Sequence, residues 1–265
     1  MALDPTNLRA AKLKFVEDGR PATLNALGDE RASLTRNERI KIEKLPPLVW
    51  NDIVDNYSKN GFDSISEDDM ERFKWVGVYQ QRPKDGYFMM RLKIAGGIVP
   101  NDQIRGVAKI ARLYADGIAD ITTRMTYQIH WLTIENMPAV MDELENIGLG
   151  VKKGMFGACG DICRNIVSSP LTNIEREQVI DPTPFFLEAN QVFSSDPEYA
   201  DLPRKFKVAI LGHRGGGQVE INDLSFYGVK RADGEVGYGV MVGGGLSTEP
   251  HLAQDMGVFV RPEQA

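Results

Sequence analysis

Apolar and polar positions divide the chain into three stretches. Residues 1 to 70 show little apolar periodicity and carry proline breaks at Asp4-Pro5 and Leu45-Pro46-Pro47. That pattern predicts an arm of short helices, one of them over Ser66 to Phe73, draped over a later core. Between Trp75 and Gly150 the pattern becomes regular. Phe88 to Ile94 is predicted as a strand, and Pro100-Asn101 opens a helix whose Ile104, Val107, Ala108 and Ala111 recur at i, i+3, i+4 and i+7, with Gly117 past its end. A second strand is expected from about Ile121 to Ile134. A second helix follows, with Asn136 as N-cap, Pro138 in its first turn, an apolar face of Met137, Val140, Met141, Leu144 and Ile147, and Gly148 at its exit. Strand, helix, strand, helix in this span suggests a small ferredoxin-like α+β unit. From Val151 onward, short strands, a helix over Pro184 to Phe193 and glycine-rich turns predict a second α/β unit.

Charge changes the picture by exclusion. Lys and Arg number 31 against 37 Asp and Glu, a net charge of −6, and a protein that neutralises nucleic-acid phosphates normally carries a basic excess or stripe. No apolar run approaches the length of about 20 residues that a membrane helix needs, and Met1 to Phe15 lack the apolar core of a signal peptide. The expected setting is therefore cytoplasmic, away from membrane and nucleic acid. Cys159 and Cys163, the two cysteines, are expected as reduced thiols. As a C-x3-C pair they lack two further ligands for zinc or an iron–sulfur cluster, and only His130, His213 and His251 could supply them.

Within this acidic chain, three predicted strands carry paired donors. Alternation places Arg124, Thr126, Gln128 and His130 on one face and Met125, Tyr127, Ile129 and Trp131 on the other. Arg91 and Lys93 share a side, as do Lys205 and Lys207. Any one such strand is explained by a solvated face with basic edge protection. Three together point to a cationic concavity for a multiply charged anion, because clustered Arg and Lys focus potential locally whatever the net charge. Gly157 to Asn165 adds small residues followed by Arg164. The turns at Gly212 to Gly217 and Gly243 to Ser247 match neither G-x-G-x-x-G before a helix nor a Walker loop, leaving flexible turns or amides facing a flat ligand.

In order, WVGVYQQR (Trp75–Arg82), YFMMRLKIAGG (Tyr87–Gly97), TRMTYQIHW (Thr123–Trp131), GDICRNIVSSPL (Gly160–Leu171), LPRKFKVAI (Leu202–Ile210) and VGGGLST (Val242–Thr248) resemble the siroheme-dependent nitrite and sulfite reductase family. The resemblance implies an arm over 1–70, a ferredoxin-like half-domain over 71–150 and the first half of a siroheme-binding domain over 151–265. It implies that Arg91, Arg164, Lys205 and Lys207 surround the substrate anion. Arg124, Thr126, Gln128 and His130 would meet the macrocycle, with Lys93, Asn165 and Gly244 as further cofactor contacts. Tyr79 and Cys159 would lie close together beside the same pocket.

The same resemblance implies siroheme and a [4Fe–4S] cluster as cofactors, with the cluster's C-x5-C and C-x3-C ligands outside this chain, in a second half or a partner subunit. It implies six-electron reduction of nitrite to ammonia or of sulfite to sulfide, with ferredoxin or a similar donor. A non-catalytic module that binds a tetrapyrrole or anion, or a tetrapyrrole-modifying oxygenase of cobalamin synthesis, is the competing expectation. A lone half should also leave apolar surface bare, either Met125, Tyr127, Ile129 and Trp131 or the Met137–Ile147 face.

Overall fold

Two four-stranded sheets organise the chain, and one irregular segment stitches them together. The structure is a computed structural model that describes residues 35–83, 85–149 and 157–265; the first 34 residues of the expected arm lie outside the described residues. In the first sheet, β1 (Val78–Gln80), β2 (Tyr87–Arg91), β3 (Ala119–Ile121) and β4 (Tyr127–Thr133) are antiparallel in the order β1-β2-β4-β3. In the second, β5 (Val208–Leu211) runs parallel to β6 (Leu224–Lys230), and β7 (Val236–Val242) and β8 (Gln254–Val260) extend the sheet antiparallel.

The arm is more than a drape. Helix α1 (Arg36–Glu43) is capped by the Thr35 hydroxyl, α2 (Val49–Asp52) continues through a π-helical turn, and α3 (Glu67–Arg72) is capped by Ser66, which accepts from the Asp69 N–H at 3.1 Å. Val49, Trp50, Ile53 and Tyr57 enter the core beneath the first sheet. Their apolar content is carried by one-turn pieces, which leave no long periodicity to read.

Helix α4 (Asn101–Tyr114) forms where expected, but Val107, Ile110 and Ala111 make its buried face while Ile104 is 44% exposed. Helix α5 (Met137–Asn146) buries Met137, Val140, Met141 and Leu144. The helix face expected to be bare is thus core, as is Ile129.

The expected strand from Ile121 to Ile134 is instead a hairpin, β3–β4. The Thr122 N–H donates to Thr126 O at 2.8 Å around a turn in which Met125 takes a left-handed φ of 55°. Arg124 therefore sits in the turn, not on the strand face with Gln128 and His130. Farther along β4 the register slips: Phe88 pairs with Leu132 but Met90 with Ile129, so two residues oppose Met89. This bulge, with Trp131 at φ 64°, hands the core position to Leu132 and leaves Trp131 37% exposed.

In the second unit, α6 (Thr183–Ser195) buries Phe186 against the inter-sheet core of Ala95, Cys163, Ile166, Val208 and Tyr238. A Cβ on Gly96 would come within 2.4 Å of the Phe186 ring, so glycine at φ 63° is what lets the two units close. Residues 159–167 run between the sheets: Arg164 N–H donates to Phe206 O at 2.8 Å and Val167 bridges to Ala209.

Candidate anion site

The inter-sheet segment carries the site's central cation. Asn165, 2% exposed, uses its side-chain amide as a surrogate strand: Oδ1 accepts from Ile94 N–H at 2.7 Å and Nδ2 donates to Ile94 O at 2.7 Å and Arg124 O at 2.8 Å. The preceding Arg164 is thereby aimed at the end of β2. Its Nη1 donates to Ala158 O at 3.1 Å and to the Tyr79 hydroxyl at 3.3 Å. Burial alone would lower the Arg164 pKa, but the adjoining Cys159 and Tyr79 outweigh it and hold it raised.

Arg91, the last residue of β2, faces Arg164. Its Nη1 donates to the Cys159 sulfur at 2.9 Å, and its guanidinium lies 5.5 Å from the Tyr79 ring centre. With the Gln128 amide oriented oxygen-first, Nη2 and Nε reach that oxygen at 2.5 and 2.9 Å. Tyr79 is within hydrogen-bonding reach of Cys159; burial first, and the thiol second, push its pKa up to about 12.

Arg91, Arg164 and Lys205 line one cavity of about 250 Å³, joined by Arg204, Tyr79, Trp75 and Gly160. Gly160 has φ 79°, and a Cβ there would strike Trp75 at 2.7 Å. Among the described residues the half-buried Arg91 and Arg164 and the exposed Arg204 and Lys205 form no ion pair, whereas Lys41, Lys44, Arg72, Lys74 and Lys207 do. Four uncompensated cations around one opening create a locally positive potential in an acidic protein.

The strand expected over Arg204 to Val208 starts only at Val208. Pro203 and Phe206 close a turn with a 3.1 Å backbone bond, and Lys205 takes φ 64°. Lys205 and Lys207 therefore do not alternate on a strand. Lys207 Nζ is held by Asp223 at 2.5 Å and Lys205 O at 3.1 Å.

The other expected contacts divide. Lys93 lies beyond β2 with its Nζ buried and without a hydrogen-bond partner among the described residues; burial pushes its pKa down to about 8, partly offset by Cys163 and Cys159. His130 Nε2 lies 3.4 Å from Asp120. The Arg124 Nη groups go to protein acceptors, Asn222 Oδ1 at 2.9 Å, Asn165 O at 2.8 Å and Val208 O at 3.2 Å, while its Nε has no partner among the described residues. Thr126 donates to Leu92 O. The Gly244 N–H donates to Asn222 O at 3.0 Å, and a Cβ there would lie 2.3 Å from Glu220 O. Sequence reasoning missed the outer wall of the cavity, Asn37, Glu71 and Lys74. The one signal was Lys74, which directly precedes the Trp75–Arg82 stretch.

Two family descriptions match this chain: the nitrite/sulfite reductase ferredoxin-like half domain over residues 79–147, and the nitrite and sulphite reductase 4Fe-4S domain over residues 159–265. The chain is 39% identical over 252 residues to sulfite reductase (ferredoxin) 2 of Mycolicibacterium paratuberculosis, covering 89% of this chain and 44% of that protein. It is 36% identical over 233 residues to the assimilatory ferredoxin-dependent nitrite reductase of Haloferax mediterranei, covering 80% of this chain and 39% of that protein. The solved structure of Mycobacterium tuberculosis NirA protein superposes with a TM-score of 0.80 at 37% identity, over 89% of this chain and 45% of that one. The chain thus spans less than half the length of these relatives.

Proposed function

The chain belongs to the nitrite and sulphite reductase family, and from that membership we propose that it supplies the anion pocket and the siroheme-facing wall of a ferredoxin-dependent reductase of nitrite or sulfite. The observation that carries this reading is the set of four cations, Arg91, Arg164, Arg204 and Lys205, around one cavity and without carboxylate partners among the described residues.

Family membership implies siroheme and a [4Fe–4S] cluster. The residues fit the first. Lys93 Nζ and Arg124 Nε are buried without partners, and a macrocycle bearing carboxylates would compensate such charge. Lys93, Arg124 through Nε, and His130, with Gln128 through Arg91, are the residues with donors left to hold it; Thr126, Asn165 and Gly244 brace the walls behind them. The residues do not fit the cluster. Two cysteines, one engaged by Arg91, cannot furnish four thiolates, and the described residues hold no group of three metal-ligating side chains.

Siroheme, when bound, supplies the redox-active iron. Arg91 and Arg164 then orient a small oxyanion through charged hydrogen bonds and stabilise charge as its bonds to oxygen weaken. Lys205, without a carboxylate partner among the described residues, presents its Nζ donors to the anion. Siroheme titrated into the purified chain tests the reading: a one-to-one complex with a shifted absorbance band supports it, and turnover of the loaded chain should not exceed that of free siroheme. Absence of a complex, or turnover by the loaded chain alone above that level, contradicts it.

A further inference from the structure

The outer wall of the anion cavity carries a carboxylate, Glu71, paired with a neighbouring cation, Lys74. Among the described residues five cations line the cavity, Arg91, Arg164, Arg204, Lys205 and Lys74, against two carboxylates, Glu71 and Asp161. Asp161 is spoken for: its side chain is 6% exposed and lies 3.1 Å from the buried Lys41 Nζ, which ties α1 to the inter-sheet segment. Glu71, on the last turn of α3, is bonded to Lys74 and remains 29% exposed, with Lys74 at 26%. Both sit where the cavity meets solvent. The backbone beneath them is fixed, because the adjoining Trp75 is 1% exposed, donates from Nε1 to Ala200 O at 2.9 Å and packs on Gly160.

We propose that the Glu71–Lys74 pair is a specificity-determining element that sets how much negative charge the pocket accepts. The proposal rests on the anion-pocket reading above. Glu71 cancels the charge of Lys74 at the mouth and holds the cavity one step below its full positive potential. An anion in the cavity feels that potential in proportion to its own charge. A change of one charge at the mouth therefore acts twice as strongly, in free energy, on a dianion as on a monoanion. Nitrite and sulfite differ in this respect: at a pH of about 8 nitrite carries one negative charge and sulfite chiefly two. The pair thus tilts the site between its two candidate substrates without touching either directly.

The test is calorimetric titration of nitrite and of sulfite into the chain at low ionic strength, where screening is weak, with wild type, Glu71→Gln and Lys74→Gln. Glu71→Gln should tighten nitrite by about threefold and sulfite by about tenfold, the second factor near the square of the first. Lys74→Gln should loosen both with the same square relation. Thermal unfolding checks each variant, and should Glu71→Gln fail to fold, Lys74→Gln carries the test with the opposite sign. Equal factors for the two anions, or no shift in either, would overturn the role of the pair while leaving the pocket standing. If wild type binds neither anion, the pocket itself is wrong and the pair's role falls with it.

Discussion

Asn165 completes both backbone groups of Ile94, accepting from its N–H and donating to its carbonyl at 2.7 Å each. One side chain thus does the work of a neighbouring strand, and it fixes the first sheet against the segment that carries Arg164. Asn165→Ala leaves the N–H of a 3% exposed residue unsatisfied and its carbonyl with the Gly97 N–H alone, a cost of about 1–3 kcal/mol. Urea unfolding should show that loss. A loss below about 0.5 kcal/mol, the size of an ordinary surface change, would mean the two sheets are held together elsewhere.

Lys93 should destabilise the chain when no anion accompanies it. Its pKa falls from 10.5 to about 8 because burial penalises the ammonium, so the folded state binds protons less well than the unfolded state. The penalty is complete below a pH of about 8, fades as pH rises toward 10.5 and is absent above. Lys93→Met should raise stability by roughly 1–3 kcal/mol near neutral pH, and the gain should shrink over that window. Melting curves of both proteins across it would show the convergence; a pH-independent difference would place the ammonium in contact with solvent.

Four phenols, Tyr57, Tyr79, Tyr227 and Tyr238, are raised to about 12, and two of them, Tyr79 and Tyr238, owe it to the inter-sheet site and core. Burial lifts Tyr79 and Tyr238 to about 12 from 10.0, with Cys159 and Asp181 as the respective secondary causes. Each favours the folded state fully below the ordinary phenol range, and that contribution is lost as pH climbs through the folded value. Phenolate absorbance from these two should therefore appear late and together with unfolding. Tyr238→Phe should hold its fold further into alkali, and an unchanged alkaline transition would show that this ring does not control it.

How much of this was legible in the sequence differs residue by residue. Helix α5 was readable because its Met137, Val140, Met141 and Leu144 spacing matches its buried face and Gly148, at φ 68°, lies just past its end, although Asn136 makes no side-chain cap bond and Ile147 falls beyond the last turn. Helix α4 was placed correctly, but its buried stripe is rotated from the one expected. Periodicity alone gives Ile104 and Ile110 equal claim, and the sheet's position decides between them. The β3–β4 hairpin was invisible because its turn, Thr122 to Met125, contains neither Gly nor Pro and relies on a left-handed methionine. The bulge at Trp131 likewise comes from tertiary pairing, not from any residue-level mark. Arg91, Arg164 and Lys205 were legible as site candidates, and the cavity gathers them. Lys207, paired with Asp223 in the structure, does not line it. The outer wall was not legible, since Asn37, Glu71 and Lys74 come from short helical pieces whose relation to the sheets only the fold reveals.

The most direct test of the central claim is equilibrium titration of nitrite into the folded chain and into its Arg164→Ala and Lys205→Ala variants. Each substitution removes a charged hydrogen bond worth about 1.5–3 kcal/mol, so one-to-one binding should weaken by about ten- to a hundredfold, with folding intact by circular dichroism. Affinity in the wild type should fall as salt is added, since the pocket's charges are partly open to solvent. Native affinity in both folded variants would contradict the account, because it would mean that the cations gathered in this cavity do not bind the anion.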